Sequence, residues 1–335
     1  MIELDDVVVR YGAGANTVTA VDGISLRLDA GKTLGLVGES GCGKSTVARA
    51  IVGLLPIASG RLLVDDEDYS TLRSRNSPAY RRRVQMVFQD PYSSLNPRMT
   101  VGRAIGEAIT LRGVRGRAER RRVAQSTLEL VELSESAMSR YPHQFSGGQR
   151  QRIAIARALA VGPQVIIADE ITSALDVSIQ ATILNLLRSV QRETGVSILF
   201  ISHDLSVIRY LSDTIAVMYL GEIVERAAAE DLFERPRHPY SNALTRSIPQ
   251  LGHDRQPAPV SGELPDPRNP PSGCRFHIRC FMGPTQFPER TICREESPQS
   301  IPAEQSHFAA CHFAGLVPPI EPADTPDRDM SRASS

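Results

Sequence analysis

The stretch at residues 38–46, Gly-Glu-Ser-Gly-Cys-Gly-Lys-Ser-Thr, is the feature that most constrains the fold. It follows an apolar run at 33–37 and precedes a segment with helical character at 47–52. In a strand–loop–helix unit the glycines let backbone N–H groups turn inward, and the positive end of the helix dipole adds to their field. Lys44 can then reach the outer phosphates of a nucleotide, and the Ser45 hydroxyl can bind its magnesium ion. The stretch therefore predicts a phosphate-binding P-loop. The residues expected to bind nucleotide here are Gly38, Glu39, Ser40, Gly41, Cys42, Gly43, Lys44, Ser45 and Thr46.

Charge and hydropathy narrow the class of protein. The chain has 335 residues, 41% of them hydrophobic, and its 38 basic residues balance 38 acidic ones. No overall positive field therefore favours nucleic acid, and the arginine-rich segment at 112–122 is best interpreted as a solvated helix face. No apolar run approaches the ~20 residues of a membrane-spanning helix, and the N-terminus has the pattern of a strand rather than of a signal peptide. We expect a soluble, cytoplasmic protein.

The order of the predicted elements indicates an α/β fold. Strands are expected at 2–10, 24–29, 33–37, 61–64, 84–88, 165–169, 196–202, 215–218 and 222–225, and helices at 101–111, 117–133, 150–160 and 178–194. Strands that alternate with helices favour a largely parallel core sheet whose ligands bind at the carboxyl ends of the strands. We expect the helical segments at 101–111 and 117–133 to form a helical insertion. Tyr11, at the end of the first strand, is a candidate for stacking on a base, although a lone tyrosine is more often part of a core or its rim.

The composition changes near residue 235. Of the 23 prolines, 17 lie from Pro236 onward, and four of the five cysteines lie between Cys274 and Cys311. Proline at this density opposes regular helices and central strands. We expect residues 1–235 to form one domain, 236–315 a loop-rich extension, and 316–335 a disordered tail.

Two further segments carry chemistry that complements a P-loop. The apolar strand at 165–169 ends in Asp169, which is placed to hold the nucleotide's magnesium from the side opposite Ser45. Glu170, one step further, would polarise or deprotonate an attacking water. The second segment is Phe-Ser-Gly-Gly-Gln at 145–149, where two glycines and a serine before a helix form another anion-receptive turn. A plain helix start would explain Ser146 but not the pair of glycines.

These motifs, together with Gln89, Ser-Ala-Leu-Asp at 173–176 and His203, resemble the nucleotide-binding subunit of an ATP-binding-cassette (ABC) transporter over residues 1 to about 235. The resemblance implies an antiparallel β subdomain and a helical subdomain at about 90–160. The segments at 37–46, 88–100, 141–152 and 174–180 are similar to the ATP-binding subunits of oligopeptide and dipeptide permeases. So is Arg-His-Pro-Tyr-Ser-Asn-Ala-Leu at 237–244, which in that family opens a C-terminal extension.

The resemblance implies a role for each motif residue. Tyr11 would stack on adenine, Gln89 would sense magnesium and the γ-phosphate, and His203 would hold the γ-phosphate and the attacking water. Magnesium would be held through Ser45, Gln89 and Asp169. The loop at 90–100 would receive a helix of the membrane subunit. The residues expected to face the ATP bound by a second copy, or to lie along the interface with it, are Ser146, Gly147, Gly148, Gln149 and Asp176. The family commonly has proline after the catalytic glutamate, whereas this chain has Ile171.

The cysteines of the extension suggest a metal site. Clustered cysteines in a cytoplasmic chain are more often metal ligands than disulfides, although the close Cys pairs of zinc ribbons are missing. The related permease subunits often carry a 4Fe–4S cluster here, which implies Cys274, Cys280, Cys293 and Cys311 as ligands; the gap between Cys280 and Cys293 is longer than usual. Zinc and unligated thiols remain alternatives, and His277 and His312 are possible substitute ligands. Cys42, between two glycines, is interpreted as a small filler.

Taken together, the sequence predicts an ATPase subunit that powers import of peptides or similar small solutes. It would lie at the cytoplasmic face of the membrane, bound to integral permease subunits and to a second ATPase subunit, identical or not, and would serve an extracytoplasmic solute-binding protein. The alternatives are import of nickel or glutathione, export, and a soluble ABC ATPase acting on nucleic acid or ribosomes. That last class tends to carry two cassettes or a long coiled-coil insertion, which this chain lacks, so we expect no nucleic-acid partner.

Overall fold

The structure is a computed structural model that describes residues 1–12, 14, 17–90, 94–248, 262–299, 306–318 and 320. Residues 91–93 of the loop expected at 90–100 lie outside the described residues. So does the predicted tail, apart from 316–318 and 320.

A four-stranded antiparallel sheet is built from the first part of the chain. Its strands β1 (Ile2–Tyr11), β2 (Val18–Leu28), β4 (Ser59–Val64) and β5 (Glu67–Asp68) lie in the order β2-β1-β4-β5. The second strand begins six residues earlier than its predicted start at 24. Asp22-Gly23 resembles a turn in the sequence, but Gly23, with φ of 64°, lies at an irregularity where Val7 pairs with Ile24 and Val9 with Val21. The strand continues through this β-bulge.

The central sheet has seven strands and a mainly parallel core, as predicted. They are β3 (Thr33–Val37), β6 (Val84–Val87), β7 (Val165–Asp169), β8 (Ser197–Ser202), β9 (Thr214–Tyr219), β10 (Glu222–Ala228) and β11 (Phe308–Ala309), in the order β11-β10-β9-β3-β8-β7-β6. The five strands from β9 to β6 are parallel, and β10 and β11 add an antiparallel edge. Every residue of β3, β7 and β8 is buried. Because they are parallel, β3, β6, β7 and β8 end at the same edge of the sheet.

The helices described by the structure surround this sheet. They are α1 (Lys44–Ile51), α2 (Leu72–Arg75), α3 (Pro78–Arg83), α4 (Val101–Leu111), α5 (Arg117–Leu130), α6 (Gly147–Ala160), α7 (Val177–Thr194), α8 (Leu205–Leu211), α9 (Ala229–Glu234), α10 (Pro239–Arg246) and α11 (Ile292–Glu295). The helix predicted at 150–160 begins three residues earlier, at Gly147. Its N-terminus is fixed by a capping box, in which Ser146 and Gln149 satisfy each other's backbone N–H groups.

Helices α4, α5 and α6 pack together as a helical layer inserted between β6 and β7. Ile105 of α4, Leu128 of α5 and Ile153 of α6 are wholly buried in one apolar cluster that continues into the central sheet. The arginine-rich start of α5 faces solvent, as expected for a solvated helix face; Arg121, for example, pairs with Glu135 at 2.7 Å.

The segment after residue 235 packs against the central sheet through a buried carboxylate. Glu225 of β10 is fully buried and accepts hydrogen bonds from the backbone N–H groups of Arg237 (2.6 Å) and His238 (2.8 Å); His307 Nε2 lies 2.9 Å away. His238 then caps α10 by accepting the N–H of Tyr240. Apart from α10, α11, β11 and the 3₁₀ turn Ala314–Leu316, the described part of the extension is turns and loops.

Across the described ranges, we find no helix that combines the length and the apolar character needed to cross a bilayer.

Candidate functional site

The loop between β3 and α1 has the backbone of an anion-binding nest. A side chain at Gly38 would place its Cβ 2.1 Å from the carbonyl oxygen of Met218, and one at Gly43, where φ is 113°, would lie 2.4 Å from that of Ala20. Both positions therefore require glycine. Lys44 Nζ donates to the carbonyl oxygens of Gly38 (2.7 Å) and Glu39 (2.9 Å), so the loop's own backbone holds the lysine.

Ser45 and Asp169 are brought together by two neighbouring elements of the site. The Ser45 hydroxyl, in the first turn of α1, donates to Asp169 Oδ1 at 3.0 Å. Asp169 ends β7 and is 6% exposed. Its burial raises the pKa of the carboxyl above the usual range, and the hydrogen bond from Ser45 opposes that rise. A hydroxyl and a carboxylate both offer the oxygen ligands that Mg²⁺ binds, and P-loop NTPases hold the ion between such a pair.

Glu170 has a backbone conformation that is unusual for a residue with a side chain. Its φ is 48°, in the left-handed region, which costs a non-glycine residue free energy and is common at active sites. Its Oε1 lies 3.4 Å from Nδ1 of His203, the residue that follows β8. Ile171, in place of the family's usual proline, is 1% exposed and packs in the main apolar cluster.

A cavity of about 490 Å³ lies over the P-loop. The residues that line it are Tyr11, Val18, Thr19, Ala20, Ser40, Gly41, Cys42, Gly43, Lys44, Ser45, Thr46, Gln89, Glu170, Leu220, Gly221 and Pro267. Tyr11 and Thr46 are joined at its rim by their hydroxyls, 3.2 Å apart, and Gln89 Nε2 donates to Ser173 Oγ at 3.1 Å. Gly38, Glu39, Asp169 and His203 are not among the lining residues of this cavity.

Sequence reasoning missed three contributors to this cavity. The start of β2 (Val18, Thr19 and Ala20), the turn Leu220–Gly221, and Pro267 of the extension carry no phosphate-binding pattern. No local motif marks them as nucleotide-site residues.

The Ser-Gly-Gly turn forms a separate surface. Ser146 and Gln149 bond each other's backbone N–H groups at 3.1 and 3.4 Å. A side chain at Gly148 would put its Cβ 2.6 Å from Ile179 Cγ2, so this glycine also lets α6 approach α7 closely. Ser146, Gly148 and Gln149 line a cavity of about 310 Å³ that shares no residue with the one over the P-loop. One chain therefore does not use this turn to line its own P-loop cavity.

Asp176 has a structural task in addition to the one expected of it. It is the N-cap of α7 and accepts hydrogen bonds from the N–H of Ile179 (2.9 Å) and the hydroxyl of Ser178 (2.7 Å). These bonds to the charged form lower the pKa of its carboxyl.

The four cysteines of the extension converge. Cys274, Cys280, Cys293 and Cys311 line one cavity of about 10 Å³, together with His277 and His312. Burial raises the pKa of the thiols of Cys274, Cys280 and Cys311 to about 12, and that of Cys293 is also raised. Yet no three His, Cys, Asp or Glu side chains within the described ranges lie in an arrangement able to hold a metal ion. Cys42 lies apart, buried inside the P-loop, as a filler would.

A P-loop facing an aspartate–glutamate pair at the edge of a parallel sheet, with a second glycine turn elsewhere on the chain, defines the class as an ABC-type ATPase. The ABC transporter family model matches residues 21–173, and the model of the oligopeptide/dipeptide transporter C-terminal region matches residues 224–284.

Two relatives and one solved structure agree with this class. The chain is 49% identical to the probable peptide ABC transporter ATP-binding protein y4tS of Sinorhizobium fredii, over 88% of this chain and 82% of that protein. It is 47% identical to the oligopeptide transport ATP-binding protein AppF of Bacillus subtilis, over 88% and 90%. The dimeric ATP-binding cassette MJ0796, in a post-hydrolysis state bound to ADP and Pi, superimposes with a TM-score of 0.61 at 30% identity, covering 68% of this chain and 99% of that one. The chain belongs to the ABC transporter ATP-binding proteins, in the group that carries the oligopeptide/dipeptide transporter C-terminal region.

Proposed function

We propose that this ATPase hydrolyses ATP to power import of peptides, or of similar small solutes, through a membrane permease. The observation that carries the proposal is one chain that joins a P-loop nucleotide site to the extension characteristic of oligopeptide and dipeptide transporters. The relatives named for peptide transport support the solute class. None of them supports nickel, glutathione or a nucleic-acid substrate.

In this proposal each residue of the site has a role that its position permits. Lys44 leaves the carbonyl oxygens of Gly38 and Glu39 to bind the phosphates, and Glu170 acts as general base on the attacking water. His203, 3.4 Å from Glu170, orients that water and the γ-phosphate, and Gln89 reports the presence of the γ-phosphate. Tyr11, at the rim of the cavity, stacks on the adenine ring. Ser45, Asp169 and Gln89 would hold a magnesium ion, which would neutralise charge on the phosphates.

A second copy or a related subunit completes the site. Ser146, Gly147, Gly148 and Gln149 face the γ-phosphate held by the partner, and Asp176 lies along the interface. The support is that this turn lines a cavity separate from the chain's own P-loop cavity. Two such chains close head to tail around two ATP molecules, and hydrolysis removes the group that bridges them, so that the pair reopens. The motion would reach the permease through residues 89–100, at the cytoplasmic face of the membrane, and the permease would receive its solute from a binding protein.

We also propose that the four cysteines of the extension bind a metal, with a 4Fe–4S cluster as the first candidate and zinc as the second. Their convergence on one cavity supports this, because four thiolates are the ligand set of such clusters. The arrangement described here does not itself fit a cluster, since a cavity of about 10 Å³ holds roughly one water molecule. The side chains would have to separate and lose their protons. Iron and sulfide analysis of anaerobically purified protein tests this; colourless, metal-free protein would contradict it.

The function is tested by capturing the tagged chain from membranes in the presence of Mg-ATP. We expect a multi-span permease, a second ATPase subunit and a solute-binding protein, whose bound solute identifies the cargo. Recovery of ribosomes or nucleic acid without a membrane protein would contradict a role in transport.

A further inference from the structure

The P-loop is contacted from an unexpected direction, by the extension. Arg279 Nη1 donates to Glu39 Oε2 at 2.8 Å, and Nη2 donates to Glu39 Oε1 at 3.0 Å. This is a two-pronged ion pair between residues 240 positions apart, one of them the second residue of the P-loop. The Arg279 side chain is 5% exposed and that of Glu39 is 25% exposed. Solvent therefore screens this pair much less than an ordinary surface ion pair.

Glu39 is held at its backbone as well as at its side chain. Its N–H donates to the Tyr240 hydroxyl at 2.9 Å, and its carbonyl oxygen accepts from Lys44 Nζ at 2.9 Å. Tyr240 belongs to α10, so the contacts from Arg279 and Tyr240 both come from the extension. The contact to the carbonyl oxygen comes from the lysine that must bind phosphate. The conformation of the first P-loop turn is therefore coupled to the extension and to Lys44 together.

The segment that carries Arg279 is itself firmly anchored. Phe276, 1% exposed, packs against Tyr219 and Tyr240 with ring centroids 5.2 and 5.3 Å apart. Arg275 pairs with Glu222 at 3.0 Å and with Asp22, and it donates to the carbonyl oxygen of Leu220. The turn after Leu220 supports the P-loop in turn, because the Gly221 N–H donates to the carbonyl oxygen of Cys42 at 2.9 Å.

The ion pair also determines the net charge next to the loop that binds the phosphates. An unpaired Glu39 carboxylate would add a negative charge next to the loop that must receive a triphosphate, and it would compete with that ligand for Lys44. In a partly buried site such a like-charge interaction is strong, because the surroundings screen it poorly. Paired with Arg279, the carboxylate is neutralised.

We propose that Arg279 is a positioning residue of the ATP site: by pairing with Glu39 it neutralises and holds the first turn of the P-loop, which makes the extension part of the nucleotide site. The inference rests on the proposed ATPase function. Pro267, which lines the nucleotide cavity, and Leu264, which lies beside Gly41, support it independently, because both belong to the extension.

The test compares a single and a double charge-removing variant of the full-length chain. The measurements are the affinity for Mg-ADP by calorimetry and the KM and kcat for ATP. Arg279→Met is expected to weaken Mg-ADP binding and raise KM by about 10-fold, with kcat changed much less. Adding Glu39→Gln to it removes the stranded carboxylate and is expected to restore most of the affinity. A role in packing alone would not produce this rescue.

Three outcomes would overturn the proposal: unchanged affinity in Arg279→Met, a double variant no better than Arg279→Met, and an equal loss in Arg235→Met. The last variant is the matched control, because Arg235 pairs with Asp231 on an exposed surface. Should Arg279→Met fail to fold, Arg279→Lys takes its place. It keeps the charge but not the two-pronged geometry, so a loss of about threefold is expected and unchanged affinity overturns the proposal. If wild-type protein itself failed to bind Mg-ADP, the proposed function would fall instead.

Discussion

The hydroxyl of Ser45 donates a 3.0 Å hydrogen bond to the carboxyl of Asp169, which joins the helix after the P-loop to the strand that faces it. The two groups proposed to hold magnesium are therefore in direct contact. The arrangement is costly, because the Asp169 carboxyl is buried and its pKa is raised by that burial. The carboxyl that is proposed to bind magnesium therefore lowers the stability of the folded protein.

Asp169→Asn should separate the effect of this carboxyl on stability from its effect on function. The folded protein keeps a proton on Asp169 over a pH range in which the unfolded chain has already released it. The contribution of the wild-type carboxyl to stability therefore falls as pH rises through that range. The amide keeps an acceptor for Ser45 and removes the charge. We expect the variant to melt at the same or a higher temperature than wild type at pH 8, and the difference to shrink toward pH 4, while Mg-dependent ATP turnover is lost.

Thermal unfolding across this pH range, without nucleotide, measures the effect. Asp231→Asn, at an exposed position, is the control and should show no comparable gain. A variant that is clearly less stable than wild type at pH 8 would show that burial of the charge is not what costs stability here.

Glu170→Gln should stop hydrolysis without stopping binding. The amide keeps the size of the side chain and its place beside His203 but cannot accept a proton from water. We expect turnover to fall by about 10²–10⁴-fold and ATP to stabilise the closed dimer, with the partner subunit present if the pair is a heterodimer. ATPase assays and light scattering measure the two effects. Glu193→Gln, on the exposed end of α7, should behave as wild type. Normal turnover in Glu170→Gln would remove this residue from the role of base.

The parts of the fold and site that the sequence predicts are those encoded locally. The P-loop, the Asp169–Glu170 pair and the Ser-Gly-Gly turn each lie within a few residues, and the buried strands β3, β7 and β8 are mainly apolar segments. What the sequence misses depends on distant partners. Nothing near Glu39 indicates that Arg279 will pair with it, and nothing near Ala20 marks it as lining the nucleotide cavity.

The two glycines of the Ser-Gly-Gly turn also differ in a contact that the local sequence does not reveal. They permit a matched comparison. Both were expected to serve phosphate, but only Gly148 is crowded: its Cβ would lie 2.6 Å from Ile179, whereas that of Gly147 would meet nothing closer than 3.8 Å. Neither has a positive φ. Gly148→Ala should therefore lower the free energy of unfolding by about 1–3 kcal/mol.

Gly147→Ala is the control for that variant. It should be neutral or slightly stabilising, because alanine favours the helix at this position. Denaturant titration of the nucleotide-free protein measures both. Equal stability of the two variants would show that α7 yields to the extra methyl group and that the close approach of α6 is not a constraint.

His238 provides a test of how the extension is attached. It is fully buried, accepts the Tyr240 N–H at Nδ1, and has a pKa lowered by burial from 6.5 to about 3. Below pH 6.5 the His238 imidazole binds a proton in the unfolded chain but not in the folded protein. This histidine therefore makes the folded state progressively less stable as pH falls from about 6.5 toward 3.

His238→Asn keeps a cap for α10 and removes the titration. The variant should be less stable than wild type at pH 7, because packing against Phe276 is lost. Its stability should nevertheless decline less steeply on acidification, so that the two curves converge. Denaturant unfolding at pH 7, 6, 5 and 4 measures the free energy of unfolding of both proteins. Subtracting one curve from the other removes the contribution of carboxylates that titrate in both. His143→Asn, at an exposed histidine, should leave the slope unchanged. Parallel curves for wild type and His238→Asn would mean that the ring of His238 takes up a proton in the folded protein as readily as in the unfolded chain, and would contradict the prediction.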